Sequence, residues 1–120
     1  MSNLNMVEEI YRFVLQLPDD RVAGLNIKML AKHFKVNRCH ISRLFRDKRG
    51  MTLSTFILRR KLLLAEQRLA IDPDITVKQL ASHLGYADYQ HFISRFKEHY
   101  GESPGRYRKL YAGLAAEPGL

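Results

Sequence analysis

The chain has 120 residues, of which 46% are hydrophobic, and a formal net charge of +8. That length suits one domain or two very small ones, and that hydrophobic fraction is enough to bury a core, which argues against global disorder. The single cysteine, Cys39, excludes an internal disulfide. No stretch approaches the ~18 apolar residues of a membrane span, and the N-terminus lacks the pattern of a secretory signal, so we expect a cytoplasmic protein.

The first predicted helix covers about residues 3–17 and is followed by a predicted loop over residues 19–24. Its apolar side chains recur at helical spacing: Leu4, Val7, Ile10, Tyr11, Val14 and Leu17. Residues 1–20 hold one arginine against four carboxylates, a net charge of −3. We therefore expect this helix to support the core and to face away from any polyanion.

Two short helices joined by a tight turn are predicted next, which is a helix-turn-helix pattern. Asn26 can cap the first helix and Asn37 can cap the second. Gly50 can end the second helix in a left-handed conformation. Ala31 provides a small side chain where the two helices cross, and Lys35 lies in the turn.

A long helix over residues 52–70 follows, capped by Thr52, and its apolar residues fall on two faces. One face is formed by Leu53, Phe56, Ile57, Leu63 and Leu64, and the other by Leu58, Leu62, Ala65 and Leu69. An ordinary surface helix buries one stripe, so two stripes indicate a connector with a structure packed on either side. A fully buried central helix is the alternative, because periodicity alone does not separate the two.

The segments before and after this connector are copies of each other. Residues 27–34 (IKMLAKHF) match residues 77–84 (VKQLASHL) at an offset of 50, and the offset becomes 51 after the next turn. Two copies of this length indicate a duplicated supersecondary unit rather than a solenoid, which needs three or more repeats.

The second copy has predicted helix caps and helix ends at the same places as the first. Thr76 and Gln79 form a predicted capping box, Asp88 caps the following helix, Gly101 ends it, and Ser103 caps the last helix. No segment shows a sustained period of two. We therefore predict an all-α fold of about seven helices, in which two helix-turn-helix subdomains are joined by a long connecting helix.

The predicted organisation has four parts. The first helix and the first helix-turn-helix unit take residues 1–51, and the connecting helix takes residues 52–71. The second helix-turn-helix unit takes residues 72–112, and residues 113–120 form a frayed tail.

The second copy closely resembles the C-terminal signature of AraC/XylS-type transcription regulators. The matching residues are Ile75, Leu80, Ala81, Leu84, Gly85, Tyr86, Asp88, Phe92, Phe96, Lys97, Gly101, Ser103, Pro104, Tyr107 and Arg108. The first copy fits the less regular first motif of the family, and the resemblance covers roughly residues 5–110. It implies that two recognition helices enter successive major grooves on one face of double-stranded DNA. It also implies contact with RNA polymerase and, usually, activation.

The chain departs from the family pattern at three positions. Lys35 stands where a turn glycine is common, and Lys61 stands where the connecting helix usually carries arginine. Ser94 takes the place of an arginine that is often pointed at bases.

The elements found here account for the whole chain, so we expect any effector domain to be missing, either in a stand-alone protein or in a fragment.

The candidate DNA contacts lie on the two recognition helices and their flanks. Residues 35–49 hold six cations against one carboxylate, a net charge of +5 that marks a surface facing a polyanion. The predicted base contacts are Arg38, Cys39, Ser42, Arg43 and Arg46 in the first unit, and Tyr89, Gln90, His91 and Ser94 in the second. The predicted phosphate contacts are Lys48, Arg49, Lys97, Arg106, Arg108 and Lys109. Arg43 suits guanine and Gln90 suits adenine. A solvated helical face is the alternative for the first set of base contacts, and local packing of Tyr89 is the alternative for the second.

Other classes of function fit the sequence less well. None of the five histidines forms an i,i+4 pair and only one cysteine is present, so we expect no metal and no cofactor. No nucleophile elbow or glycine-rich phosphate loop occurs, so we expect no enzyme. A protein-interaction module and a nucleoid protein without sequence preference remain alternatives. We expect a sequence-specific regulator that binds DNA as a monomer unless it is part of a longer chain.

Overall fold

The computed structural model describes the backbone of residues 3–115 and the side chains of residues 5–110. Within residues 3–115 the elements are α1 (Asn3–Gln16), a 3-10 helix (Asp19–Gly24), α2 (Ile27–His33), α3 (Arg38–Arg49), α4 (Leu53–Ile71), α5 (Val77–His83), α6 (Tyr89–Tyr100) and α7 (Pro104–Ala115), with no strand. The prediction of an all-α fold with a long connecting helix is confirmed. Backbone contacts divide the chain into two compact units, Met1–Lys61 and Leu62–Leu120, with the boundary inside α4.

Two segments differ from the prediction. The predicted loop over residues 19–24 is a 3-10 helix, because its amides find carbonyls three residues back and Val22 is fully buried. The last helix continues to Ala115 instead of ending near residue 112. The Leu4 side chain and residues 116–120 lie outside the described part of the chain. No helix among the described residues has the length and apolarity needed to cross a membrane.

The first unit is built on apolar residues from α1, α3 and the beginning of α4. Val7, Ile10 and Val14 of α1 are fully buried, as the helical spacing predicts. Phe56 of α4 stacks on Tyr11 with ring centroids 5.3 Å apart and on Phe45 of α3 at 5.1 Å. Stacked aromatic pairs add to the stabilisation from burial, so Phe56 ties α4 to both helices.

Arg60 is the one charged residue among the buried residues of the described chain, with 8% of its surface exposed. Its Nε donates to the Val14 carbonyl at 3.0 Å and its Nη2 donates to the Leu17 carbonyl at 2.8 Å. Asp19 lies 3.7 Å from Nη2. Carbonyls at a helix C-terminus lack intrahelical partners and carry partial negative charge, so the guanidinium caps the end of α1.

The second unit is built around an aromatic cluster. Phe92 and Phe96 of α6 are fully buried, and the Phe96 ring contacts Tyr100 at 4.5 Å and Tyr107 of α7 at 5.4 Å. The Tyr100 hydroxyl donates to the Leu62 carbonyl of α4 at 3.2 Å. Burial, and after it the neighbouring Glu66 carboxylate, raises the pKa of Tyr100.

The two apolar faces of α4 are largely as predicted. Leu53, Phe56, Ile57 and Leu64 of the first face are buried, and so are Leu62, Ala65 and Leu69 of the second, whereas Leu58 is half-buried. Leu63 was expected on the first face but is 44% exposed. At about 100° per residue it lies roughly 80° from the midline of that face, and the midline is occupied by Arg60.

The two helix-turn-helix turns share one hydrogen-bond pattern. In the first turn, the Val36 amide donates to the Ala31 carbonyl at 2.9 Å. In the second, the Tyr86 amide donates to the Ala81 carbonyl at 3.0 Å. This bond from the second residue after the C-cap is the mark of a Schellman motif. The turns match at an offset of 50, and the following caps match at 51, so the additional residue of the second copy lies between its turn and its cap.

The predicted helix caps are confirmed. The side chains of Asn26, Asn37, Thr52, Asp88 and Ser103 each accept a bond from a backbone amide two or three residues on. Thr76 and Gln79 form both bonds of the capping box. Gly50 and Gly101 end their helices in the left-handed region, with φ of 74° and 82°. The caps at Asn37 and Asp88 and the left-handed glycines set where α3 and α6 begin and end.

Candidate nucleic-acid interface

The outer face of α3 gathers the predicted base contacts of the first unit. Ile41 and Phe45 are fully buried, which directs the opposite face of the helix to solvent. Arg38, Cys39, Arg43 and Arg46 are exposed, and Ser42 is half-buried. The face therefore combines three guanidinium groups with two small polar side chains, which is the composition expected of a surface that contacts DNA.

An open groove of about 550 Å³ runs beside this face. It is lined by Ile27, Ser42, Arg43, Arg46, Asp47, Thr52, Leu53 and Ser54. Three predicted base contacts, Ser42, Arg43 and Arg46, thus border a single concavity that also includes the first turn of α4. Asp47 lies in the same lining, so the local charge is less positive than the arginines alone would make it.

The outer face of α6 presents the predicted base contacts of the second unit. Gln90, His91 and Ser94 are exposed, and Tyr89 is 39% exposed. All four lie in the first half of the helix, after the Asp88 cap. Residues near the start of a recognition helix are the ones that reach base edges in the major groove.

Arg95 is a residue of this face that sequence reasoning did not select. Its Nε donates to His91 Nε2 at 3.2 Å, and its Nη1 lies 3.1 Å from the Glu98 carboxylate. The spacing of His91, Arg95 and Glu98, four and then three residues, was the available signal, because such residues are neighbours on a helix. Burial raises the pKa of Tyr86, and the charge of Arg95 acts on it in the opposite direction.

The six predicted phosphate contacts are three lysines, two arginines that pair with carboxylates, and Arg108. Lys48, Lys97 and Lys109 are exposed. Arg49 lies 3.5 Å from Glu8 and 3.9 Å above the Tyr11 ring, and Arg106 pairs with Glu102 at 2.9 Å. A phosphate would have to compete with these partners for both arginines.

Arg108 is turned toward its own unit. Its guanidinium donates to the backbone carbonyls of Pro73 and Ile75, in the connection between α4 and α5. Donors used on carbonyls are not presented to solvent, so the structure gives Arg108 the role of tying α7 to that connection. The phosphate contact at Arg108 stays a prediction, and a phosphate would have to compete with these two carbonyls for the guanidinium.

Side chains of the types that bind metal ions do not cluster in the part of the chain that the structure describes. Among the described residues, no three His, Cys, Asp or Glu side chains come close enough together to hold a metal ion. Cys39 is exposed and is a free thiol.

The comparisons with known proteins agree with these features. A family model described as a helix-turn-helix domain matches residues 30–110. The chain is 28% identical over 105 residues to the probable transcription factor PqrA of Proteus vulgaris, covering 88% of this chain and 84% of PqrA. It is 28% identical over 108 residues to the regulatory protein SoxS of Escherichia coli K12, covering 90% of this chain and 97% of SoxS.

Longer proteins and solved structures also match. The chain is 31% identical over 98 residues to the uncharacterised transcriptional regulator YfiF of Bacillus subtilis, covering 81% of this chain but only 30% of YfiF. The DNA-binding domain of the global transcriptional factor AdpA, solved in complex with a target DNA, superposes with a TM-score of 0.75 at 21% identity, covering 92% of this chain and 96% of that domain. The two helix-turn-helix units, the matched family model and these relatives together lead to one conclusion: the chain belongs to the AraC-type helix-turn-helix family of DNA-binding transcription regulators.

Proposed function

We propose that this chain binds duplex DNA in a sequence-specific manner as a monomer, with α3 in one major groove and α6 in the next. The observation that carries the proposal is the repeated design of the two units. Each places a recognition helix after a Schellman turn, buries two large side chains from it, and leaves a polar face exposed. α4, with 19 residues, is about 28 Å long at 1.5 Å per residue, which is close to the ~34 Å between successive major grooves.

The first unit is proposed as the anchor of the complex. Its exposed Arg38, Arg43 and Arg46 lie on one face, and residues 35–49 carry a net charge of +5. Arginine donates two parallel bonds to the O6 and N7 atoms of guanine, so Arg43 is the best candidate for a base contact. Cys39 and Ser42 are small enough to let the helix approach the bases closely.

We propose that the second unit recognises bases but contributes less sequence-independent electrostatic attraction to DNA. Residues 88–100 hold two cations and two carboxylates, so their net charge is zero. Gln90 is suited to the N6 and N7 atoms of adenine, and Tyr89, His91 and Ser94 lie beside it. Specificity in this half therefore depends on hydrogen bonds to base edges rather than on charge.

We propose the exposed lysines of the predicted set as the main phosphate contacts. Lys48 serves the first unit, and Lys97 and Lys109 serve the second. Arg49 and Arg106 are proposed as weaker contacts because each is already paired with a carboxylate. Phosphate contacts position the protein and carry no sequence information.

Site selection from random duplex DNA, followed by footprinting, tests this function. We expect a defined site, protection over about two helical turns, and a complex whose mass corresponds to one chain per duplex. Affinity for all sequences alike would indicate a nucleoid protein, and affinity no stronger than that of any basic protein would indicate a protein-interaction module. Protection of one groove only, or a need for two chains, would contradict the two-groove monomer.

We further propose that the bound chain activates transcription through RNA polymerase in the cytoplasm, and that it catalyses no reaction. This step rests on family membership, since the contacts described above identify no polymerase-binding surface. Transcription in a purified system, with a promoter that carries the selected site, tests it. An increase in transcript that depends on the chain is expected, and a decrease would identify a repressor.

A further inference from the structure

We propose that Arg95 is a specificity-determining residue of α6, which reads a base edge while His91 and Glu98 hold its guanidinium in place. This inference rests on the DNA binding proposed above and adds a contact that the resemblance does not assign. The resemblance places a base-reading side chain at position 94, where this chain has a serine. The new contact lies one residue further on.

A continuous line of contacts leads from the core of the second unit to Arg95. The Phe92 ring is fully buried, and the Tyr86 ring packs against it with centroids 5.5 Å apart. Tyr86 also makes an edge contact with the His91 ring at 5.7 Å. His91 Nε2 then accepts the 3.2 Å bond from Arg95 Nε. The imidazole is thus held by a side chain that is itself anchored in the core.

Glu98 holds the other end of the guanidinium. Its carboxylate lies 3.1 Å from Arg95 Nη1, so two of the five N–H donors of Arg95 are committed to side chains of α6. Because the five donors share one plane, fixing two of them fixes the direction of the others. An oriented fork is what a bidentate bond to guanine requires, and less side-chain entropy is lost when that bond forms.

The Arg95–Glu98 ion pair contributes little to the stability of the fold. The side chain of Arg95 is 44% exposed and that of Glu98 is 65% exposed, and exposed ion pairs contribute little to folding. The pair also weakens the attraction of Arg95 to phosphates, because Glu98 offsets its charge. Its main consequence is therefore orientation.

Ser94 gives Arg95 room to reach the DNA. Taking about 100° per residue, Ser94 points directly away from the midline of the buried Phe92 and Phe96, and Arg95 lies on one flank of it. A short side chain at the centre of the face lets the backbone approach the groove. A long side chain on the flank can then span the remaining distance.

The test measures binding of the full chain to its selected duplex site and to every single-base-pair variant of that site, at two salt concentrations. The proteins are wild type, Arg95→Ala, Arg95→Lys, Glu98→Gln and Lys97→Ala. We expect Arg95→Ala to lose about tenfold or more in affinity for the selected site, and to lose the preference at one base pair. Arg95→Lys retains the charge but should not restore that preference, because lysine lacks the planar fork.

The other variants separate positioning from charge. Glu98→Gln should reduce the preference at the same base pair by a smaller factor, although it makes the chain more positive. Lys97→Ala is the matched phosphate control and should weaken binding to all sequences alike, with the salt slope reduced by about one. Amide exchange on each variant establishes that the second unit is folded.

Two results would overturn the inference while leaving the proposed function standing. One is a uniform loss for Arg95→Ala with the salt slope of a phosphate contact, and the other is unchanged affinity and preference, as for a solvated surface pair. A wild-type chain that selects no sequence would overturn the proposed function itself, and this inference with it.

Discussion

Lys35 and Gly85 occupy the same position of the same turn in the two units, and both have a left-handed backbone, with φ of 57° and 86°. Each donates its amide to the carbonyl three residues back, at 3.3 Å for Lys35 and 3.0 Å for Gly85. Glycine adopts this conformation without steric penalty, whereas a residue with a Cβ pays roughly 1–2 kcal/mol. The first unit therefore folds with a strained residue where the second has none.

Exchanging residues at this position should move stability in opposite directions. Gly85→Val should destabilise the second unit by about 1–2 kcal/mol or more, because a β-branched residue is especially unfavourable at positive φ. Lys35→Gly should be neutral or mildly stabilising, since relief of strain is partly offset by the greater entropy of the unfolded chain. Thermal melts with per-residue amide exchange test both. Destabilisation of the first unit by Lys35→Gly would show that its turn carries no strain.

Arg60 should be required for the stability of the first unit. Arg60→Met retains the apolar stem but removes the two guanidinium donors from the carbonyls of Val14 and Leu17, which should cost about 2–4 kcal/mol. The neighbouring Arg59 is exposed, so Arg59→Met is the matched control and should change stability by less than about 0.5 kcal/mol. Urea denaturation of both variants gives the comparison. Equal effects would mean that the buried bonds contribute nothing specific.

Leu62 and Leu63 provide a test of the second face of α4. Leu62 is fully buried and Leu63 is 44% exposed, so Leu62→Asp should destabilise the second unit by more than about 3 kcal/mol whereas Leu63→Asp should have little effect. Amide protection across residues 75–100 should collapse in Leu62→Asp, and specific DNA binding should be lost, while the first unit stays folded. Unchanged protection in that variant would contradict the two-faced helix.

Tyr100 should make the second unit sensitive to alkaline pH. Its pKa is raised in the folded chain, so the folded state retains a proton that the unfolded state releases above its pKa of about 10. The resulting stabilisation is fully present below that pH and is lost as the pH rises further. Tyr86 acts in the same direction. Tyr100→Phe should therefore flatten, without abolishing, the fall in stability measured by urea denaturation above pH 10.

Lys61 of the first unit should behave in the opposite way. Burial lowers its pKa from 10.5, so its folded charged form is disfavoured at neutral pH, and that penalty fades as the pH rises toward the unfolded value. Amide protection measured for each unit as a function of pH distinguishes the effect of Lys61 on the first unit from that of Tyr100 on the second. A first unit that lost stability as steeply as the second above pH 10 would contradict this assignment.

The two recognition helices should contribute unequally to DNA binding. Arg43→Ala should cost about 1–3 kcal/mol and relax specificity at one base pair, and Gln90→Ala should cost less. The reason is that residues 35–49 carry a net charge of +5, whereas residues 88–100 carry none. Quantitative titrations on the selected site test the order. The reverse order would identify the second unit as the anchor.

The local architecture of this chain was predictable from its sequence. The caps at Asn26, Asn37, Thr52 and Asp88 and the helix end at Gly50 depend on hydrogen bonds or backbone geometry within a few residues, so short patterns carry the necessary information. The duplication is likewise visible in the sequence, because residues 27–34 and 77–84 have similar residue types in the same order. It predicts both helix-turn-helix units and, with them, the exposed faces of α3 and α6.

Only the tertiary structure decided what the long cationic side chains do. Arg60 binds carbonyls 46 and 43 residues away along the chain, and Arg108 binds carbonyls 35 and 33 residues away. Helical periodicity describes the direction in which a residue leaves its own helix and contains nothing about the partner that it meets. An arginine that caps a helix and one that faces DNA therefore look alike in the sequence, and distant backbone carbonyls, brought close by folding, distinguish them.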